Sequence, residues 1–328
     1  MDKEKAPYLC MIGGTGRSGT TVLRRIFGQH PKVATLSEFY FTVVPGGLYD
    51  FYRTLTTQWT PYLFDDRLET LRRILHQTGH SVPFARHYRY ALQKTGLSSK
   101  GIKLESPFAG VDISHHCPNY HGLVDQLIDD LTDFTYPGTW TGKALGSVNK
   151  ISGGNPTDSF MKERLGSFYR SIASCIVENS GATHFVEDNT WNILYLKEIT
   201  ELLPDARLVH IYRDPRDVVA SFIHQTWTPS DAVESARFYR NLMDRWQHIK
   251  QQVPEDIFME ISLEELVQYK EEILKETCAF WSLEWNDKLM GLELNRAHRG
   301  RWKKDIPADQ QEEVLEILTP YLEMLGYE

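Results

Sequence analysis

The chain has 328 residues, 41% of them hydrophobic and 24% charged, with a formal net charge of -8 at neutral pH. That length and balance suit one large buried core and exclude a disordered or low-complexity chain, while the acidic balance excludes the extended basic surface that a nucleic-acid backbone needs. No apolar run reaches membrane-spanning length, Met1–Pro7 is polar, and Cys10, Cys117, Cys175 and Cys278 are scattered without metal or disulfide spacing, so the expectation is a cytoplasmic protein with neither signal peptide nor anchor.

The first element is an apolar strand, Tyr8 to Ile12, feeding the turn Gly13-Gly14-Thr15-Gly16-Arg17-Ser18-Gly19-Thr20-Thr21 and then a helix. From Gly14 to Thr21 the pattern is G-x-x-x-x-G-T-T, so Thr20 stands where a nucleotide triphosphatase loop carries its phosphate-binding lysine. The positive charge sits at Arg17 instead. A helix N-terminus supplies unpaired N–H donors and partial positive charge, so an anion site survives the loss of the lysine while the grip on a γ-phosphate does not. The pattern implies a 5′-phosphate bearing some other group; the alternative is a glycine turn that only packs a helix on a strand.

The first helix stops at His30-Pro31, and Lys32 to Glu38 brings the chain back. The stretch 39–180 is rich in Tyr, Trp, His, Gly and Pro, with helical pieces at Leu68 to Gln77, Leu123 to Leu131 and Met161 to Asn179. Within it, Arg86-His87-Tyr88-Arg89-Tyr90 alternates basic and aromatic groups, which suits a sugar or acidic acceptor as well as a solvated helix face. The run Ser114 to His121 lacks a second ligand pair at metal spacing, so no metal site is expected.

A βαβ unit follows: strand Thr183 to Glu187, helix Trp191 to Leu203, strand Ala206 to Tyr212. The strand ends in Arg213-Asp214-Pro215-Arg216-Asp217, with Pro215 in a helix's first turn and Ser221 further along that helix. Arg213 and Ser221 can converge on one phosphate; the alternative is surface ion pairing among Arg213, Asp214, Arg216 and Asp217. Beyond lie helices at Ala232 to Gln251, Leu263 to Leu289 and Gln310 to Leu325, and a basic run from Asn295 to Lys304. In parallel α/β sheets ligands bind beyond the strands' carboxyl ends, where both motifs fall.

Together the loop Gly14 to Thr21 and the segment Tyr212 to Ser221 resemble the two signature motifs of the sulfotransferase family, whose donor is PAPS, 3′-phosphoadenosine 5′-phosphosulfate, and whose product is PAP. The resemblance implies an α/β, P-loop-type three-layer fold with a central parallel sheet flanked by helices, here one domain over 1–328 with 39–180 as an acceptor-side insertion. It implies that Gly16, Arg17, Ser18, Gly19, Thr20 and Thr21 hold the 5′-phosphosulfate, and that Arg213 and Ser221 hold the 3′-phosphate. It also makes 290–308 a donor-closing loop, through Arg299, Gly300, Trp302 and Lys303.

The Arg17 version of the loop is similar to the tyrosylprotein and bacterial branches. In the tyrosylprotein enzymes a glutamate at the spacing of Glu38, 21 residues after Arg17, is the catalytic base. One departure stands out. Asp188-Asn189-Thr190-Trp191 replaces the Asp-Lys-Thr-Pro that many relatives carry, and its residues are ordinary helix caps. The function implied is sulfuryl transfer without a metal to a small-molecule, glycan or lipid hydroxyl, with a P-loop small-molecule kinase and a non-catalytic PAP-binding protein as the alternatives.

Overall fold

The computed structural model describes residues 6–36, 38–79, 112–143, 149–294 and 299–327; the Arg86–Tyr90 and Asn295–His298 stretches lie outside the described residues. The chain divides into two compact units, Tyr8–Ser37 with Ala182–Glu328, and Met1–Pro7 with Glu38–Gly181. In chain order the strands are β1 (Tyr8–Gly13), β2 (Val33–Leu36), β3 (Phe134–Gly138), β4 (Asn149–Gly153), β5 (His184–Glu187), β6 (Arg207–Tyr212) and β7 (Phe258–Ser262).

Five of these build the sheet of the first unit in the order β2-β5-β1-β6-β7, every neighbouring pair parallel. Strands covered on both faces read as continuous apolar runs, and Leu9, Cys10, Met11 and Ile12 of β1 are all buried. Leu23, Ile26 and Phe27 of the helix Thr20–Phe27 close over this sheet in one cluster with Val186, Val209, Ile211, Leu266 and Trp281. The α/β class with a central parallel sheet flanked by helices is therefore as the sequence implies. β1 lies between β5 and β6, so the chain crosses to opposite sides of it, and the carboxyl ends of these three strands open on one crevice.

Two helical expectations are revised. The stretch 263–289 is not one helix: Tyr269, at φ -122 and ψ 45, separates Leu263–Gln268 from Lys270–Phe280, and a 3-10 turn follows at Asp287–Gly291. The segment after β5 begins as a 3-10 turn, Thr190–Tyr195, before the α-helix Leu196–Leu202. Strand β7, a short Phe-Met-Glu-Ile-Ser run between helical stretches, carries too little pattern to be read from sequence.

The second unit holds the longer helices Leu48–Thr57, Pro61–Thr78, Tyr120–Leu131 and Asp158–Ser180, and the antiparallel pair β3–β4. Thr60 caps the Pro61 helix through the amide of Leu63 at 3.1 Å. Inside it the buried Asp65 accepts from the amide of Ser152 at 2.9 Å, from Trp140 Nε1 at 2.9 Å and from Lys143 Nζ at 2.6 Å, which locks helix to hairpin. No described helix is long and apolar enough to cross a membrane.

The edge of the parallel sheet is fastened by Glu260 on β7. Its carboxylate accepts from His210 Nδ1 at 2.9 Å, Trp246 Nε1 at 2.9 Å and Lys250 Nζ at 3.0 Å. Burial pushes this carboxyl up, but the hydrogen bonds and charge of His210, with Trp246 and Lys250, outweigh it and hold the pKa at about 2. A folded-state pKa below the ordinary 4.5 contributes stability that is present above 4.5 and is lost as pH falls through about 2. We expect Glu260→Gln to lower the denaturation midpoint at pH 7, with the gap to wild type narrowing steadily between pH 4.5 and 2; a gap independent of pH would contradict the assignment.

Candidate functional site

The turn between β1 and its helix adopts a backbone that few sequences tolerate. Gly16, Arg17 and Gly19 are all left-handed, at φ 83, 58 and 114. At Gly14 a Cβ would lie 2.3 Å from Ser18 Oγ and 2.9 Å from the carbonyl of Ile211, so only glycine allows this close approach. At Gly16 a Cβ would meet the indole of Trp227 at 2.6 Å, on a backbone already unsuited to side chains. The loop is braced from the 3-10 turn after β5 as well: Gly14 N donates to the carbonyl of Thr190 at 3.0 Å, and Asn192 Nδ2 donates to both the Ile12 carbonyl at 3.1 Å and Glu187 Oε2 at 2.6 Å.

The helix that follows begins at Thr20, and no side chain caps it. Its first amides have no intrahelical acceptor, so they and the helix dipole are available to an anion. Ser18 Oγ is fully buried in the turn and finds no hydrogen-bond partner among the described residues. A glycine cradle, an uncapped helix start and an unsatisfied hydroxyl fit a phosphate-type group. Arg17 projects beside them, exposed, while Thr20 is buried and Thr21 exposed.

The second motif is built differently. Asp214 caps the helix Pro215–Phe222 through the amide of Arg216 at 2.9 Å, and its carboxylate grips the Arg216 guanidinium at 3.0 and 2.8 Å. Capping takes up the N-terminus, so anion recognition here falls to side chains. Asp217 and Ser221, four residues apart, share a face of this helix, and Arg213 stands just before its cap. Arg213 Nη2 lies 3.6 Å from Asp217 Oδ2. Ser221, 2% exposed, accepts a hydrogen bond from Arg17 Nε at 2.9 Å, so a residue of the first motif touches a residue of the second.

Asp217, which sequence reasoning placed only in a surface ion-pair cluster, is fully buried. Its two oxygens accept the amides of Gly300 at 2.8 Å and Trp302 at 3.1 Å, which fastens the basic C-terminal run to the Pro215 helix. Burial raises its carboxyl pKa, opposed by those two amides and by Arg213. The Arg216 guanidinium lies 5.2 Å from the centre of the Trp302 ring. Gly300 and Trp302 thus join the second motif, whereas Arg299 and Lys303 are exposed, Lys303 resting 5.7 Å from the Trp302 ring.

The segment that lacks the relatives' lysine has a structural use. Asn189 caps the 3-10 turn through the amide of Trp191 at 3.1 Å, and Asp188 pairs with Arg24 at 3.0 Å. Trp191 meets Trp227 edge to face, with ring centres 5.9 Å apart. Neither Asp217 nor Trp227 carries a sequence signal beyond residue type, because the contacts that tie them to the site, Gly300 and Trp302 for Asp217 and Gly16 and Trp191 for Trp227, join segments far apart in the chain. Glu38 belongs to the other unit, two residues past the end of β2; it is half-buried and left-handed at φ 44.

Replacing Asp217 by alanine strands two amides of the C-terminal run. We expect Asp217→Ala to cost on the order of 2 kcal/mol in chemical denaturation and to speed tryptic cleavage after Arg299 and Arg301. Wild-type cleavage rates at both sites would show that Asp217 does not hold this run.

The model of the sulfotransferase family matches residues 143–287, a stretch that contains Arg213 and Ser221 but neither Arg17 nor Glu38. A protein-tyrosine sulfotransferase of Drosophila melanogaster is 26% identical over 161 residues, 40% of this chain and 32% of that protein. The chain therefore spans about a third of that curated relative's length. Among solved structures, the sulfotransferase domain of the Synechococcus PCC 7002 olefin synthase aligns over 97% of this chain and 96% of its own, with 14% identity and a TM-score of 0.47. The sulfotransferase domain from the curacin biosynthetic pathway aligns over 99% of each chain, with 14% identity and a TM-score of 0.48.

Proposed function

We propose that this chain, a sulfotransferase-family protein by its segment 143–287, transfers the sulfuryl group of PAPS directly to an acceptor hydroxyl. The observation that carries this reading is the 2.9 Å hydrogen bond from Arg17 to Ser221, which joins two phosphate motifs lying 204 residues apart. A donor with phosphate at both its 5′ and 3′ positions needs two anion sites side by side. A nucleoside triphosphate, with its phosphates in one row, does not.

In this reading the amides of Ser18 to Thr21 and the Ser18 hydroxyl bind the 5′-phosphosulfate, and Arg213 with Ser221 binds the 3′-phosphate. Glu38 takes the proton from the acceptor hydroxyl as its oxygen bonds to sulfur. The bond from sulfur to the bridging oxygen breaks, and the charge left on the 5′-phosphate of PAP is stabilised by Arg17 and the helix N-terminus. Backbone strain supports these two roles. Among the described residues only Arg17, Glu38 and Ser282 are non-glycine residues with a left-handed backbone, and such strain gathers at functional positions. The acceptor is a small-molecule, glycan or lipid hydroxyl in the cytoplasm, and a tyrosyl hydroxyl belongs in the same screen because of the Drosophila relative's name.

Calorimetry with PAP and 5′-AMP tests the donor site. PAP binds far more tightly, and Arg213→Ala erases roughly 10- to 100-fold of the difference, the worth of a charge-assisted phosphate contact. Equal affinities in the wild type overturn the reading. For the base, Glu38→Gln lowers single-turnover sulfuryl transfer from radiolabelled PAPS by on the order of 10² to 10⁴-fold while donor affinity stays within about twofold. Transfer at the wild-type rate removes Glu38 from the mechanism.

A further inference from the structure

The peptide that follows Arg213 is held by a relay outside both motifs. The amide of Asp214, the nitrogen of that peptide, donates to Glu264 Oε1 at 3.2 Å. Glu264 sits in the first turn of the helix Leu263–Gln268, beside the start of the Pro215 helix, because β6 and β7 are in register with Tyr212 opposite Ser262. Its other oxygen, Oε2, accepts from Tyr327 Oη at 2.6 Å and from Ser262 Oγ at 3.1 Å. The Tyr327 ring is 8% exposed and packs edge to face on Tyr212, with centres 6.4 Å apart.

A carboxylate with two donors on one oxygen has its second oxygen aimed, and here it is aimed at the backbone that carries Arg213. Asp214 in turn caps the helix that presents Ser221. Burial, with the charge of Glu264, raises the phenol pKa of Tyr327, so it remains a donor at every working pH. The relay is more than an anchor for the C-terminal helix Gln311–Leu325. That helix already has one in Tyr321 Oη, which donates to Asp244 Oδ1 at 2.5 Å on the helix Ala232–Lys250.

We infer that Tyr327 and Glu264 are positioning residues for the 3′-phosphate site: they orient the Arg213–Asp214 peptide and so determine how sharply the protein distinguishes a 3′-phosphorylated adenine nucleotide from its 3′-hydroxyl counterpart. The inference rests on the donor reading above. Tyr327→Phe keeps the ring packing and removes only the hydroxyl, and Glu264→Gln keeps the size and removes the charge. Both act on Arg213 through the backbone, so neither bears on the 5′-phosphate.

The test is calorimetric titration of the full chain with PAP and with 5′-AMP, in the wild type, Tyr327→Phe, Glu264→Gln and the control Tyr321→Phe, with melting temperatures recorded alongside. The inference expects PAP affinity to fall roughly five- to tenfold in the first two variants with 5′-AMP affinity within twofold, the loss expected of one displaced hydrogen bond. Tyr321→Phe lowers the melting temperature and leaves the PAP to AMP ratio unchanged. Wild-type discrimination retained in Tyr327→Phe and Glu264→Gln overturns the inference while leaving the donor reading intact, as does an equal loss of both ligands. Absence of discrimination in the wild type overturns both.

Discussion

The hydrogen bond between Arg17 and Ser221 is possible only because β1 and β6 are adjacent and parallel, so that both chains leave the sheet at one end. Cys10 of β1 stands opposite Arg207 of β6, and Gly13 opposite His210. One short strand thus delivers the glycine turn and the next delivers Arg213, three residues past the last pair. Everything chemical in this unit follows from that register. Were β6 moved to the sheet edge, the same two motifs would be unrelated surface loops.

Charge is arranged around this junction with a clear division of labour. The first helix is left uncapped, so its amides remain open to an anion, while the second is closed by Asp214 and works through side chains. Asp217 is the costly element, a buried carboxylate in a region otherwise suited to anions. Three groups hold it there, Arg213 and the amides of Gly300 and Trp302, and through those amides it fastens the basic run to the helix. An apolar residue there would leave two amides without their acceptor and remove a charge from beside Arg213.

How much of this was legible in the sequence depended on the range of the interaction. The strand, turn and helix from Tyr8 onward announce themselves because a continuous apolar run, closely spaced glycines and a helical period are local signals. The parallel sheet follows from the βαβ order. Strand β7 and the hairpin β3–β4 escaped, being short and, in β3, largely exposed, with no sustained alternation. The break at Tyr269 escaped because apolar residues recur on both sides of it. At the site, Arg17 and Ser221 were named from their motifs, yet their contact, the latch at Asp217 and the indole of Trp227 against Gly16 depend on tertiary packing that no spacing encodes.

The claim on which the account rests is that the two motifs form a single site for one doubly phosphorylated nucleotide. A double-mutant cycle on PAP affinity with Arg17→Ala, Ser221→Ala and the pair measures this directly. Because the two side chains are bonded to each other and converge on the ligand, the account predicts a combined loss smaller than the product of the single losses by roughly threefold or more. Losses that multiply to within about twofold would mean that the motifs act independently, and would contradict it.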